Sequence, residues 1–387
     1  MKQVLGLFLL TCLYCTAVNA IPFMHYGYCR SNLSEQAVCL PLEDCEFYKH
    51  LSDYNQTEIC VSSNPERSLI CCPRPSGSSR LTTGDSLESS TATVSTIETR
   101  SSASGALPQP PYCGLMLSDR IYGGNETNLD EHPWMALLDY DTPEGHGFYC
   151  GGSLIHERWV LTAAHCVTGR GLRAGWSVVG VRLGEWNIDF NPDCITDDHF
   201  GSEDCAPAHI DVPIDLQLPH PDFDSYKPNV PNDIALLRLQ HSVRWSQFVK
   251  PICLPVEPTM REHSFAGTTA EVCGWGRTQD GDRPSKVKLK AQLEVRSFED
   301  CAREYQKYRI ALVESQMCAG GVVGVDACRG DSGGPLVLEW SANKRVAHYQ
   351  IGVVSLGKIR CGGSATPGIY TRVAPYIDWI AKKISKN

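Results

Sequence analysis

Three short stretches of this 387-residue chain carry side chains that could act together on a carbonyl group. One reads Asp326-Ala327-Cys328-Arg329-Gly330-Asp331-Ser332-Gly333-Gly334-Pro335. Glycines on both sides of Ser332 let the backbone turn tightly enough to present the hydroxyl, and let a substrate backbone come close without a Cβ in the way. A free serine hydroxyl is a poor nucleophile, so it needs a base within hydrogen-bond reach and a group that orients the base. Leu161-Thr162-Ala163-Ala164-His165-Cys166 supplies a histidine, and Asn232-Asp233-Ile234-Ala235-Leu236-Leu237 supplies a carboxylate.

These three segments, in this order, resemble the TAAHC, DIALL and GDSGGP motifs of the chymotrypsin-like (trypsin family) serine proteases, and the resemblance runs from Ile121 to the C-terminus. It implies an all-β fold of two six-stranded antiparallel barrels with a C-terminal helix and the site in the cleft between the barrels. It also assigns roles. His165 is the general base, Asp233 its orienting partner and Ser332 the nucleophile, with the N–H groups of Gly330 and Ser332 as the oxyanion hole. Asp326 takes the floor of the primary specificity pocket, with Ala327, Ser355, Gly357 and Gly368 around it. A buried carboxylate there lacks a counter-ion until an Arg or Lys side chain enters. Ala327 stands where trypsin has a serine, which removes a contact useful to lysine and favours Arg. Leu356 occupies the place of a tryptophan beside the pocket.

Ser118-Asp119-Arg120-Ile121-Tyr122-Gly123-Gly124 resembles the family's activation site. Cleavage after Arg120 would free the amino group of Ile121, which folds inward to pair with Asp331 and orders the oxyanion hole and pocket. The cysteine pairs implied by the resemblance are Cys113 with Cys253, Cys150 with Cys166, Cys301 with Cys318 and Cys328 with Cys361. Cys194 and Cys205 close an insertion, and Cys273 is left as a free thiol filling core space. Glu185-Trp186-Asn187-Ile188-Asp189-Phe190-Asn191-Pro192-Asp193 resembles the family's calcium loop. Its expected oxygens are the carboxylates of Glu185 and Asp193 and the carbonyls of Asn187 and Phe190, a set suited to a structural Ca²⁺. Catalysis itself calls for no cofactor.

Ahead of this region, residues 1–20 combine Lys2, an apolar run from Val4 to Leu13 and small residues up to Ala20. That is the pattern of a secretory signal peptide, so the expected location is extracellular, in haemolymph, where cysteines oxidise. Nineteen cysteines, less Cys12 and Cys15 of the signal, leave an odd number, so at least one is unpaired or pairs between chains. Residues 29–72 hold Cys29, Cys39, Cys45, Cys60, Cys71 and Cys72 among few apolar residues. Such a segment depends on disulfides, and its spacing alone leaves the connectivity open. It resembles the clip domain of arthropod serine proteases of the easter-like and prophenoloxidase-activating type, which implies the pairs Cys29–Cys71, Cys39–Cys60 and Cys45–Cys72. Residues 73–112 are rich in Ser, Thr, Gly and Pro and read as a linker to the protease domain, 121–387. Asn32, Asn55 and Asn125 head glycosylation sequons.

A net charge of -9 and a pI near 5.7 disfavour nucleic acid and anionic membranes as partners. The family resemblance implies instead a zymogen with a protein substrate, an upstream activating protease and an inhibitory serpin. Its cascade would be prophenoloxidase activation and melanisation, or processing of a Toll ligand. Rival readings are a developmental patterning protease, a digestive trypsin, and a non-catalytic clip-domain cofactor. The long N-terminal region argues against a digestive role. One helix is marked by Val373, Ile377, Ile380 and Ile384 on one face, with Asp378 and Lys382 placed to pair on another.

Overall fold

The computed structural model describes residues 29–31, 34–41, 59–60, 69–73, 107–116, 126–196, 203–277, 283–322, 330–342, 345–356 and 366–387, the first four spans as backbone alone. The chain forms two compact units, 1–74 and 75–387. In the first unit β1 (Cys29–Ser31), β2 (Ser34–Pro41), β3 (Ile59–Cys60) and β4 (Leu69–Pro73) make an antiparallel sheet in the order β1-β2-β4-β3. Cys39 of β2 lies opposite Cys71 of β4, and Val38 opposite Cys72. The side chains of the six cysteines, and hence their expected pairings, lie outside the described residues.

The second unit begins with β5 (Met135–Thr142), β6 (Gly145–His156), β7 (Trp159–Thr162) and β8 (Ser177–Leu183). A small hairpin of β9 (Cys194–Thr196) and β10 (Glu203–Cys205) follows, stapled by Cys194–Cys205, and then β11 (Ile210–Pro219) and β12 (Ala235–Leu239). In β8 Val178, Val181 and Leu183 are buried, the alternation shifting by one residue where the register with β5 shifts between Asp139 and Tyr140. The start of β11 pairs with β8 and its end with β12, which closes a barrel in the order β11-β12-β7-β6-β5-β8. Closure leaves no free strand edge in this half. Its interior is filled by Leu138, Leu154, Val160, Leu183 and Leu237, which share one face of the sheet and are all fully buried, each contributing about 1.5–3 kcal/mol of burial free energy.

The second half contains α1 (Pro258–Glu262), β13 (Thr269–Gly274), β14 (Leu289–Glu294), α2 (Phe298–Gln306), β15 (Gln316–Ala319), β16 (Pro335–Ala342), β17 (Arg345–Leu356), β18 (Gly368–Arg372) and α3 (Ile377–Lys386). Its sheet has the order β14-β13-β16-β17-β18-β15, so it is six-stranded like the first, but its two edges meet only at a single bridge, Val295 to Ala319. It is a half-barrel, the counterpart of the second six-stranded barrel that the family resemblance implies. One apolar cluster runs from the first barrel through Trp275, Val337 and Val353 into the second half. The two halves therefore share one core across their seam.

Helix α3 lays Ile377, Ile380 and Ile384 on that cluster, with Val373 buried just ahead of it. Asp378 does not turn to Lys382. Its carboxylate accepts from Arg261 at 2.9 Å, because the end of α1 brings a fork-shaped donor closer than a flexible lysine on its own helix. Among the described residues the disulfides are Cys113–Cys253, Cys150–Cys166, Cys194–Cys205 and Cys301–Cys318, and the free cysteine is Cys273, which is buried. No described helix is long and apolar enough to cross a membrane.

Candidate active site

His165 sits in a 3-10 turn, Ala164–Cys166, at the end of β7, and Asp233 lies two residues before β12. These strands pair with Ala235 opposite Thr162, so the two side chains arrive at the same end of the barrel. The His165 Nδ1 is 2.7 Å from Asp233 Oδ2, and the His165 backbone N–H donates to Oδ1 at 2.8 Å. Asp233 is wholly buried, whereas His165 keeps a fifth of its side chain exposed. Two strands of the other half reach across to it. The Ser355 hydroxyl on β17 donates to Asp233 Oδ2 at 2.5 Å, and Thr371 Oγ1 on β18 donates to the Asp233 carbonyl at 2.8 Å.

Electrostatics follow from this geometry. Burial alone pulls the His165 imidazole pKa down, but the charge and hydrogen bond of Asp233 outweigh it and leave the ring above its ordinary value. For Asp233 burial pushes upward, and the His165 ring, the Ser355 hydroxyl and the His165 N–H together hold the carboxyl below its usual range. The pair thus favours an anionic carboxylate beside an imidazole ready to accept a proton.

Ser332 stands on the loop that leads into β16 and is half-buried. Its carbonyl accepts from Gly151 N–H of β6 at 2.8 Å, and Gly333 N–H donates to Val354 of β17 at 2.8 Å, so both halves pin this loop. Gly333 has φ +81°, and a Cβ there would lie 2.2 Å from Thr162 Oγ1. Gly330 has φ +114°, a conformation that glycine adopts without strain. Among the described residues, the N–H groups of Gly330 and Ser332 donate to no protein acceptor. Asp331 points the other way. Its Oδ1 accepts from Gly276 N–H at 2.8 Å, and its carboxylate packs on Gly274 and Gly276.

Ser355 was expected at the specificity pocket, and its hydroxyl is spent on Asp233. Gly368 opens β18, buried, opposite Ala319. Leu356 packs near Tyr305, Cys318 and Ile369. Asp326, Ala327, Gly357, Arg120, Ile121, the pair Cys328 and Cys361, and the sequons at Asn32, Asn55 and Asn125 lie outside the described residues. The disulfide Cys150–Cys166 braces the histidine turn, and burial raises the free Cys273 thiol well above its ordinary value.

In the 185–193 loop, Glu185 and Asp193 are both buried, and the Trp186 N–H lies between them at 3.0 and 2.9 Å. Burial and the Asp193 charge push Glu185 up to about 7, against the pull of Arg182 at 3.2 Å. Asp193 Oδ1 is buried without a hydrogen-bond partner. An orphaned carboxylate oxygen beside a second buried carboxylate is the donor set a hard divalent cation suits. The Asn187 carbonyl already accepts from Phe190 N–H at 3.0 Å, which leaves it one lone pair for a cation.

Sequence reasoning missed Trp186 and Trp275 as parts of the site's support. The Trp275 indole N–H donates to the Trp186 carbonyl at 3.1 Å, directly behind the Asp331 seat. A tryptophan set between two glycines, Gly274-Trp275-Gly276, was the available signal.

The trypsin family model matches residues 121–380. The chain is a trypsin-family serine protease. As such it is a serine endopeptidase, and chemistry in this family needs no catalytic cofactor. Serine protease ea of Drosophila melanogaster is 43% identical over 371 residues, covering 93% of this chain and 91% of that protein. Melanization protease 1 of the same species is 38% identical, covering 93% of each. The crystal structure of Drosophila Grass, a clip serine protease of the Toll pathway, superposes with a TM-score of 0.64 at 31% identity, covering 94% of this chain and 99% of that one. This trypsin-family chain therefore shares nearly its whole length, N-terminal region included, with insect clip-domain proteases.

Proposed function

We propose that the chain is a secreted zymogen that is cleaved after Arg120 and then cuts protein substrates after arginine, less readily after lysine, in an extracellular cascade of the melanisation or Toll-signalling kind. The observation that carries the catalytic part is the buried Asp233 carboxylate locked onto His165 at 2.7 Å, with Ser332 held on the adjoining loop. That arrangement, with the nucleophile intact, sets aside a purely non-catalytic role. The cascade assignment is supported by the relatives, one named for melanisation and one a clip protease of the Toll pathway. Preference for arginine is supported by Asp326 and Ala327 at the family's pocket positions.

In the proposed reaction the Ser332 hydroxyl attacks the carbonyl carbon of the scissile peptide, and its proton passes to His165. Asp233 stays ionised and stabilises the resulting imidazolium. Negative charge gathers on the carbonyl oxygen, which the N–H groups of Gly330 and Ser332 receive, a contribution of about 3–4 kcal/mol to the transition state. Collapse of the tetrahedral intermediate breaks the C–N bond, and the departing amine takes the proton from His165. Water then repeats the sequence on the acyl-enzyme, freeing the acid and restoring Ser332. Glu185 and Asp193 are proposed to hold a structural calcium ion, which would neutralise two carboxylates and take no part in bond making.

The test is the protein cleaved after Arg120, assayed on matched arginyl, lysyl and phenylalanyl amides. Arginyl turnover should lead, and Ser332→Ala should lose on the order of 10⁶ in turnover. Preference for the phenylalanyl amide, or activity that survives Ser332→Ala, would overturn the reading.

A further inference from the structure

We propose that Trp186 is a positioning residue that sets the segment following the activation site against the seat of the Asp331 carboxylate. The proposal rests on the reading that cleavage after Arg120 sends the Ile121 amine to Asp331.

Trp186 is half-buried and makes hydrogen bonds in three directions. Its indole N–H donates to the Thr127 carbonyl at 2.8 Å, six residues beyond Ile121. Its carbonyl accepts from the Trp275 indole at 3.1 Å and from Lys288 N–H at 2.8 Å. Its own N–H holds Glu185 and Asp193. Thr127 is bound a second time, its N–H and hydroxyl both donating to the Lys288 carbonyl at 3.0 and 3.2 Å. Glu126 and Leu289 form a bridge beside it. The first described residues after the activation site are thus fixed by Trp186 and Lys288.

The opposite end of the relay is the carboxylate itself. Trp275 is almost fully buried, and the glycines on either side of it touch Asp331, Gly276 through a 2.8 Å hydrogen bond. Buried Lys288 lies over the Trp275 ring at 6.0 Å and donates to the Glu185 carbonyl at 3.4 Å, which stiffens the same corner. An ion pair between a chain terminus and a buried carboxylate forms only when both are delivered within hydrogen-bond reach. Because one residue fixes the origin of the terminus and the wall behind its target, small errors in either are corrected together. Ser332 follows Asp331 directly, so the oxyanion donors inherit that registration.

The experiment compares full-length wild type, Trp186→Phe, Trp275→Phe and the double variant, each cleaved and with the Ile121 terminus verified by sequencing. Trp340→Phe, whose native ring packs against His263 and Phe265, is the control for loss of an indole. Each single variant should lose about 10-fold in kcat on the arginyl amide with KM within about 2-fold, and cyanate should carbamylate its Ile121 amine about 10-fold faster. The alkaline limb of kcat should move to lower pH, since a poorly seated amine gives up its proton sooner. The double variant should be little worse than the worse single, as for residues acting as one unit. Wild-type kcat and carbamylation in both singles, or effects that multiply independently, would overturn the proposal. Should cleaved wild type be inactive, the activation reading is what has failed. Hydrogen exchange at 274–276 and 330–333 then decides the relay, faster exchange in Trp186→Phe supporting it and unchanged exchange refuting it.

Discussion

Gly276→Ala should disable the enzyme without unfolding it, by evicting the Asp331 carboxylate from its seat. A Cβ built on Gly276 lies 2.3, 2.5 and 2.6 Å from the three carboxylate heavy atoms, whereas ordinary contact begins at 3.4 Å. The carboxylate must therefore retreat by about 1 Å, and a displacement of that size in a catalytic assembly costs about 10² in rate. The Gly276 N–H bond to Oδ1 is strained or lost with it. Since the Asp331–Ser332 peptide carries one of the two proposed oxyanion donors, the loss of a well-placed donor sets the upper end at about 10³. Steady-state turnover of the arginyl amide, normalised by organophosphate titration, measures it, and kcat should fall about 10²–10³ with KM changing far less. Gly267→Ala is the control. A Cβ there meets nothing within 4 Å, but φ is +78°, so it should cost about 1–2 kcal/mol of stability and leave kcat intact. A Gly276→Ala enzyme within 3-fold of wild type and fully titratable would refute the reasoning.

Asp233→Asn should lower turnover by about 10⁴ and move the acid limb of kcat/KM to lower pH. In the wild type Asp233 outweighs burial and holds His165 above its ordinary 6.5; without that charge, burial alone acts. The pair's contribution to stability is lost as pH falls through the depressed Asp233 value and as it rises through the raised His165 value. Wild type and variant should accordingly differ most in melting temperature between about pH 4 and 6.5. Replacing Cys113 and Cys253 by serine should let the two pieces cut at Arg120 separate on a non-reducing denaturing gel, where the wild type runs as one species. Calcium should raise the melting temperature of the wild type and leave that of Glu185→Gln unchanged. Glu185 is raised to about 7, so its folded form is favoured while protonated. Metal-free wild type should lose stability between about pH 4.5 and 7 as that group ionises in the unfolded chain first, a loss Glu185→Gln removes.

What could be read in advance was whatever is written in short windows. His165, Asp233 and Ser332 each sit in a motif a few residues long, while the pairing of β7 with β12 that joins two of them came only with the structure. The strands at Val178 to Leu183 and Ile351 to Ser355 were legible from their β-branched runs, and the face of α3 from its helical spacing. Contacts that depend on the crossing of distant strands were not. Nothing local marks Ser355 and Thr371 as partners of Asp233, more than a hundred residues away in sequence. Nor does composition mark the single bridge between Val295 and Ala319 at which the edges of the second sheet meet. Asp378 found Arg261 because tertiary packing brought a better donor than the helix itself could offer.

The base and its carboxylate ride on one sheet, while the attacking oxygen rides on another, with Gly151 clasping Ser332 across the seam. Function here is thus a property of alignment between two stiff bodies. Warming should silence such an enzyme through slippage along that seam before either body melts, so the temperature at which activity fades should fall below the temperature at which its secondary structure does.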